Sequence, residues 1–337
     1  VKKNKIFFIA ELSANHNGSL ERAKKLIKCA KVNGASAIKL QTYTAETMTF
    51  NSNKKIFKIK DGLWKGYRLW DLYNKAKTPY KWHPELFKYA KKLNIPIFST
   101  PFDISAVDFL EELDCPFYKV SSFEMTDLEL IKKIAKTGKP IIISTGLSNL
   151  KEIKLAYSTA KKFGSKQIIL LYCVSNYPSD ISDFNANNIK ILKKTFKCEI
   201  GLSDHSKGSF VGICSVTAGV NFVEKHIGLD NQTKGLDIEF SLRGKEIKSY
   251  IDDLNNTKEI FKRKIFFRSK NELKNSIFKR SIYASKDIKK GEKFSKNNII
   301  TKRPGYGLSP IYFSKIIGLK SKRKYKFTDM ISKSELS

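Results

Sequence analysis

Eight short apolar runs, each followed closely by a polar or charged residue, constrain what this sequence can fold into. They occupy residues 6–10, 37–40, 95–98, 117–120, 141–144, 168–173, 199–202 and 221–223. Between most of them lie amphipathic segments of helical period, at 19–33, 81–93, 105–112, 127–137, 150–163 and 209–218. A continuous apolar run predicts a strand buried on both faces, and intervening helices predict a parallel sheet. Eight such units within the first 265 residues fit a (β/α)8 TIM barrel better than an open sheet. The polar residues at the run ends are Glu11, Lys39 with Gln41, Thr100, Lys119, Ser144, Ser175, Ser203 with His205, and Glu224 with His226. In a barrel these converge on one mouth, where active sites form. Loops that follow strands account for the serines and threonines, but less well for lysines and histidines emerging from apolar runs.

One connection breaks the rhythm. About 50 residues separate the second run from the third, rich in aromatics and including Asp61-Gly62-Leu63-Trp64-Lys65-Gly66. A long connection at a barrel mouth predicts a lid or substrate loop. From 255 to 275 the chain turns charged and helix-like; alternation then predicts strands from 278 onward, with a turn at Gly291 and another around Arg303-Pro304-Gly305-Tyr306-Gly307-Leu308. The expected domains are a barrel at 1–265, a linker at 266–278 and a small β-rich domain at 279–337. A domain of about 60 residues is near the lower size for independent stability.

Composition removes several classes. No apolar run reaches the roughly 18 residues of a membrane span. The apolar stretch near the N-terminus is short and runs into Glu11, unlike a signal peptide. Five scattered cysteines without a C-x-x-C pair argue against a disulfide framework or zinc cluster. A cytoplasmic protein is expected. The net charge of +32 invites a nucleic-acid reading, but only eight of the 64 basic residues are arginine and the lysines are spread along the whole chain. Phosphate-reading proteins usually include arginines for bidentate contacts. We therefore expect a solvated lysine surface, no nucleic-acid partner and no membrane partner, with the charge left to attract anionic substrates.

His205 and His226 close the seventh and eighth runs, so a barrel would set them side by side. Two readings are open: a divalent-metal site with free positions, or two unrelated rim histidines. Lys39 and Lys119 stand inside apolar runs, where a lysine pointing inward must meet an anion or carboxylate. With Thr100, Ser122, Ser144 and Ser203 they would cradle a phosphate and a carboxylate. A Schiff-base lysine and an outward, snorkelling lysine remain alternatives. Glu11, Glu124 and Asp237 are candidate acids or bases, though each taken singly is more often an ordinary loop carboxylate.

Taken together, Glu11-Leu12-Ser13-Ala14-Asn15-His16-Asn17-Gly18, Ile38-Lys39-Leu40-Gln41-Thr42, Ser99-Thr100-Pro101-Phe102, Ser144-Thr145-Gly146, Gly201-Leu202-Ser203-Asp204-His205, Glu224-Lys225-His226 and Arg303-Pro304-Gly305-Tyr306-Gly307 occur in order. Over essentially its full length the chain resembles the sialic acid synthase family, which joins a barrel to a C-terminal antifreeze-like (SAF) domain. Glu11–Asn15, the Gly62-Leu63-Trp64 loop and the Arg303 segment look most like its pseudaminic acid-forming branch.

The resemblance implies a metal-dependent transferase that joins phosphoenolpyruvate to an open-chain acetamido sugar, 2,4-diacetamido-2,4,6-trideoxy-L-altrose. The alternative is an N-acetylneuraminate or legionaminate synthase using N-acetylmannosamine or its diacetamido relative. It implies His205 and His226 as ligands of Mn2+ or Mg2+. Lys39, Thr100, Lys119, Ser122, Ser144, Ser175, Tyr177 and Ser203 fall to the phosphoenolpyruvate site. Ser175 departs from an asparagine common in the family. Glu124 and Asp237 match acids beside the reacting carbons, Glu11 and Gln41 residues near the sugar. Arg303, with Phe278, resembles a group that one subunit sends into its partner's barrel, implying a domain-swapped homodimer. A Schiff-base lyase and a non-catalytic sugar- or nucleic-acid-binding protein are the competing classes.

Overall fold

The computed structural model describes residues 5–262 and 264–337. Eight strands form one parallel sheet: β1 (Phe7–Glu11), β2 (Ala37–Thr42), β3 (Ile97–Pro101), β4 (Tyr118–Val120), β5 (Ile141–Ser144), β6 (Ile168–Cys173), β7 (Glu199–Asp204) and β8 (Phe222–Gly228). Each pairs with the next, and β8 pairs back with β1, closing the barrel. A two-residue β9 (Leu242–Arg243) pairs in parallel with the end of β8. The strands are buried along almost their whole length, as a sheet covered on both faces requires.

The outer helices are α1 (Leu20–Val32), α2 (Ala45–Met48), α3 (Leu69–Ala76), α4 (His83–Lys92), α5 (Ile104–Glu112), α6 (Leu128–Lys136), α7 (Leu150–Lys162), α8 (Ala186–Thr195), α9 (Phe210–Thr217) and α10 (Glu246–Phe261). Side chains start several of them: Asp103 accepts from the amides of Ser105 and Ala106, and Asn149 forms a capping box with Glu152. Among the described residues, no helix is long and apolar enough to cross a membrane.

Several strands run further than their apolar stretches. β8 continues to Gly228, β7 to Asp204 and β3 to Pro101, so Thr100, Ser203, Glu224 and His226 lie on the ladder itself. Apolar character stops where the barrel opens, but backbone pairing does not. The long second connection is not a structureless loop either. It carries α2, α3, α4 and two 3-10 turns.

The chain divides into two compact units, the first ending at Lys262 and the second running to Ser337. The second contains α11 (Lys270–Lys274), a 3-10 turn at Asn275–Phe278, and a hairpin-like sheet of β10 (Ser281–Ala284) and β11 (Ile299–Lys302). The short α12 (Phe313–Ile316) completes it. Its core is Ile282, Ile288, Phe294, Ile299, Leu308, Ile316, Tyr325 and Ile331. The stretch at 266–278, expected as a linker, is therefore partly helical.

Candidate active site

Strand alternation turns Lys39 and Gln41 of β2 to the same side, and likewise Glu224 and His226 of β8. Register then aligns Glu11 with Lys39 on one flank and with His226 on the other, and Gln41 with Thr100. The result is a buried charge relay. Lys39 Nζ lies 2.5 Å from Glu11 Oε2 and 3.6 Å from Glu224 Oε1, and donates to Thr100 Oγ1 at 3.0 Å. Lys119 Nζ donates to both Glu224 oxygens, at 2.9 and 3.1 Å. All four charged groups are at most 3% exposed. Two ammoniums and two carboxylates make a formally neutral cluster. Burial alone would discharge Lys39, but Glu11 and Glu224 overcome it and raise its pKa. Burial would equally raise Glu224, yet the two lysines hold it below its ordinary range.

Glu11 Oε1 accepts from the Ser13 amide at 2.9 Å and from Gln41 at 3.2 Å. The Ser13 hydroxyl donates to Asp237 Oδ2, which also accepts from the Ala14 amide at 3.3 Å. Asp237 in turn lies 3.8 Å from His226 Nδ1. The imidazoles of His205 and His226 sit 5.5 Å apart between ring centroids, with Phe240 4.8 Å from His226 and Tyr177 4.3 Å from His205. His205 Nδ1 donates to the Val174 carbonyl at 3.0 Å. His226 Nδ1 is buried with no hydrogen-bond partner, and burial followed by the positive groups nearby keeps this ring neutral.

On the opposite side, the Gly146 amide donates to Ser122 Oγ at 3.1 Å. A Cβ at Gly146 would meet Ser175 Oγ at 2.1 Å and Ser122 Oγ at 2.7 Å, so only glycine permits this approach. Ser144 Oγ is buried and unpartnered. Cys173 lies beside them, its Sγ 3.7 Å from Ser175 Oγ and 3.8 Å from His205 Nδ1.

These groups surround one cavity of about 330 Å³. Its floor includes Lys39, Gln41, Lys119, Ser122, Ser144, Ser203, His205, Glu224, His226 and Asp237. Its wall is apolar and comes from the second connection: Tyr43, Met48, Ile59, Trp64, Leu69, Leu72, Tyr73 and Ala76. Trp64 is pinned by donating to the Leu236 carbonyl at 2.9 Å. Glu124 lines the same cavity. Its Oε2 is buried without a partner, and burial pushes its pKa up to about 7.

Of the residues singled out by sequence, Lys39, Gln41, Lys119, Ser122, Glu124, Ser144, Tyr177, Ser203, His205, His226 and Asp237 line the cavity. Glu11 and Thr100 stand behind Lys39, and Ser175 against Gly146. Phe278 and Arg303 belong to the second unit, where both side chains are exposed. Leu308, at the end of the Arg303 segment, is fully buried in the core of that unit. Sequence reasoning assigned no role to Glu224, which bridges the two lysines, nor to Ser13 or Cys173. The alternation with His226 was the available signal for Glu224.

The comparisons agree with this architecture. The NeuB family matches residues 26–265 and the SAF domain residues 279–336. The chain is 42% identical over 331 residues to the pseudaminic acid synthase of Campylobacter jejuni, spanning 98% of this chain and 96% of that protein. It is 38% identical over 331 residues to the N,N'-diacetyllegionaminic acid synthase of Campylobacter jejuni, spanning 97% and 99%. The crystal structure of N-acetylneuraminic acid synthetase from Leptospira borgpetersenii, in complex with citrate, matches with a TM-score of 0.71 at 32% identity, over 81% of this chain and 90% of that one. A barrel with this charge relay, followed by a SAF domain and matched along nearly its whole length by such relatives, belongs to the NeuB family.

Proposed function

We propose that the protein condenses phosphoenolpyruvate with the open-chain form of an acetamido sugar and water, releasing phosphate. The sugar in this reading is 2,4-diacetamido-2,4,6-trideoxy-L-altrose and the product pseudaminic acid. The observation that carries the reading is the Lys39–Glu224–Lys119 relay, backed by Thr100 and lying with Ser122, Ser144 and Ser203 at the floor of one cavity. Buried carboxylates hold the Lys39 ammonium charged, while burial lowers the pKa of Lys119, so an arriving anion has a cation to meet, and the hydroxyls have capacity to spare for phosphate and carboxylate oxygens. Similarity to a pseudaminic acid synthase supports the sugar, and the apolar wall suits a deoxygenated, acetylated chain. Similarity to a legionaminic acid synthase keeps a second diacetamido sugar as the alternative.

The two histidines fit a divalent cation such as Mn2+ or Mg2+. His226 is neutral with an unpartnered buried nitrogen, and His205 has its Nδ1 proton committed to Val174. Among the described residues there is no cluster of three or more His, Cys, Asp or Glu able to hold a metal. Two protein ligands would leave positions open for water and substrate, and the cation would supply Lewis-acid polarisation of the sugar's aldehyde oxygen.

The chain's own groups then do the rest. Lys39, Lys119 and the hydroxyls orient phosphoenolpyruvate with C3 towards the aldehyde carbon. The C2=C3 electron pair forms the new bond, the aldehyde oxygen gains a proton, and positive charge develops at C2. Water adds there, losing its proton to Glu124, whose elevated pKa suits that transfer near neutrality. The tetrahedral adduct collapses to the C2 ketone, its C–O bond to phosphate breaking as the C2 hydroxyl proton passes to the departing phosphate. Asp237, held by Ser13 and Ala14, faces the sugar side.

Phosphate release tests the reading, with phosphoenolpyruvate and each of three sugars: the altrose derivative, the legionaminic precursor and N-acetylmannosamine. Release with the altrose sugar alone, lost with EDTA and restored by Mn2+, is expected. Release with another sugar moves the substrate, and none with any refutes the function. We also propose that Arg303 and Phe278 reach the sugar from the partner of a homodimer. Mixing inactive Arg303→Ala and Glu124→Gln chains should restore turnover; no recovery after subunit exchange argues against it.

A further inference from the structure

We infer that the buried Asp204–Lys225 pair, closed by the Tyr250 hydroxyl, is a positioning device for His205 and His226; it rests on the cation reading above. The two residues face outward from the barrel, each one step along its strand from a histidine, and they are aligned in the β7–β8 register. Outward positions of barrel strands meet the helices and are normally apolar. Here an ion pair 1% exposed occupies them.

Both partners are held by further hydrogen bonds. Lys225 Nζ lies 2.9 Å from Asp204 Oδ2 and donates to the Ser206 carbonyl at 2.5 Å. Tyr250 donates to Asp204 Oδ2 at 2.7 Å. Asp204 Oδ1 accepts from the Ser206 amide at 2.9 Å and its hydroxyl at 2.6 Å. These bonds bracket His205 between Asp204 and Ser206 and tie that segment to the residue preceding His226. Gly212 of α9 makes room for the clamp, since a Cβ there would stand 2.5 Å from the Tyr250 hydroxyl.

A buried ion pair is weak ground for added stability, because apolar residues of similar volume commonly replace one without loss; its inferred role is the geometry it holds beside the two histidines. A second cavity of about 380 Å³ adjoins the clamp, lined by Ser209, Lys225, Phe240, Arg243 and Tyr250 among others. Phe240 lines both cavities and packs on His226. Outer hydrogen-bond partners of metal-ligating histidines typically control affinity by 10–100-fold; the clamp acts on the same rings through the backbone that carries them.

The test is Mn2+ affinity of the full-length protein, read from the free-Mn2+ electron paramagnetic resonance signal, beside phosphoenolpyruvate affinity measured without metal. Tyr250→Phe, which removes one oxygen, should weaken Mn2+ binding about 10–100-fold, with phosphoenolpyruvate affinity within about threefold of wild type. Gly212→Ala, which displaces the same hydroxyl, should do the same and decides the matter if Tyr250→Phe is poorly folded. Wild-type Mn2+ affinity in a folded variant overturns the inference, as does an equal loss of both ligands. If wild type binds no Mn2+, or His226→Ala binds it unchanged, the cation reading itself falls and takes this inference with it.

Discussion

Replacing Glu124 with glutamine should stabilise the protein while removing its activity. The carboxylate lies in the wall of the cavity with Oε2 unpartnered, and burial raises its pKa from 4.5 to about 7. At about 1.4 kcal/mol per pKa unit, that rise is worth up to about 3 kcal/mol. The folded carboxyl holds its proton to higher pH than the unfolded one. Its contribution is therefore fully present below pH 4.5, declines as pH rises to about 7, and is absent above. The Glu124→Gln variant lacks this decline. Its melting temperature should match wild type near pH 4.5 and exceed it by several degrees at pH 8, at roughly 2–4 °C per kcal/mol for a domain of this size. In parallel, wild-type turnover should rise with pH through about 7 as the base ionises, while the variant loses roughly 100–10,000-fold. Differential scanning calorimetry from about pH 4.5 to 9 and phosphate release provide the two readouts. Melting curves that stay parallel across that range, or near-normal turnover, refute the reasoning.

Three further perturbations probe the same cavity. Glu224→Gln leaves Lys39 and Lys119 buried without their shared carboxylate; it should cost about 3–5 kcal/mol, and phosphoenolpyruvate should raise the variant's melting temperature more than the wild type's. Gly146→Ala should raise the KM for phosphoenolpyruvate at least tenfold, since its Cβ would displace Ser122 and Ser175; an unchanged KM in steady-state assays contradicts that crowding. Trp64→Phe removes the bond to the Leu236 carbonyl, so the KM for the sugar should rise while phosphoenolpyruvate affinity by calorimetry stays constant.

The barrel was legible because burial on both faces leaves an uninterrupted apolar signature in each strand. Its mouth was legible only through the residues that break that signature. Lys39, Lys119, His205 and His226 stood out because charge inside an apolar run is costly. Glu224 did not, because a carboxylate at a run end resembles any loop acid until register places it between two lysines. The connection that supplies the apolar wall from Met48 to Ala76 was legible as a substrate loop, but which of its residues face the cavity was not. Apolar residues in a long connection read as packing, and only the fold shows them facing polar groups across an open space. Asp204 and Lys225 are adjacent to the histidines in sequence, yet their pairing across two strands depends on register, which spacing alone does not reveal.

Phosphoenolpyruvate carrying 18O in its bridging C2–O–P oxygen tests the central claim most directly. Wild-type enzyme, Mn2+ and the altrose sugar are mixed, and the released phosphate is examined by 31P nuclear magnetic resonance. Water attack at C2 followed by C–O cleavage delivers all of the label to inorganic phosphate. Label retained by the sugar acid, with unlabelled phosphate released, would mean cleavage at phosphorus and would contradict the account of how Lys39, Lys119 and Glu124 are used.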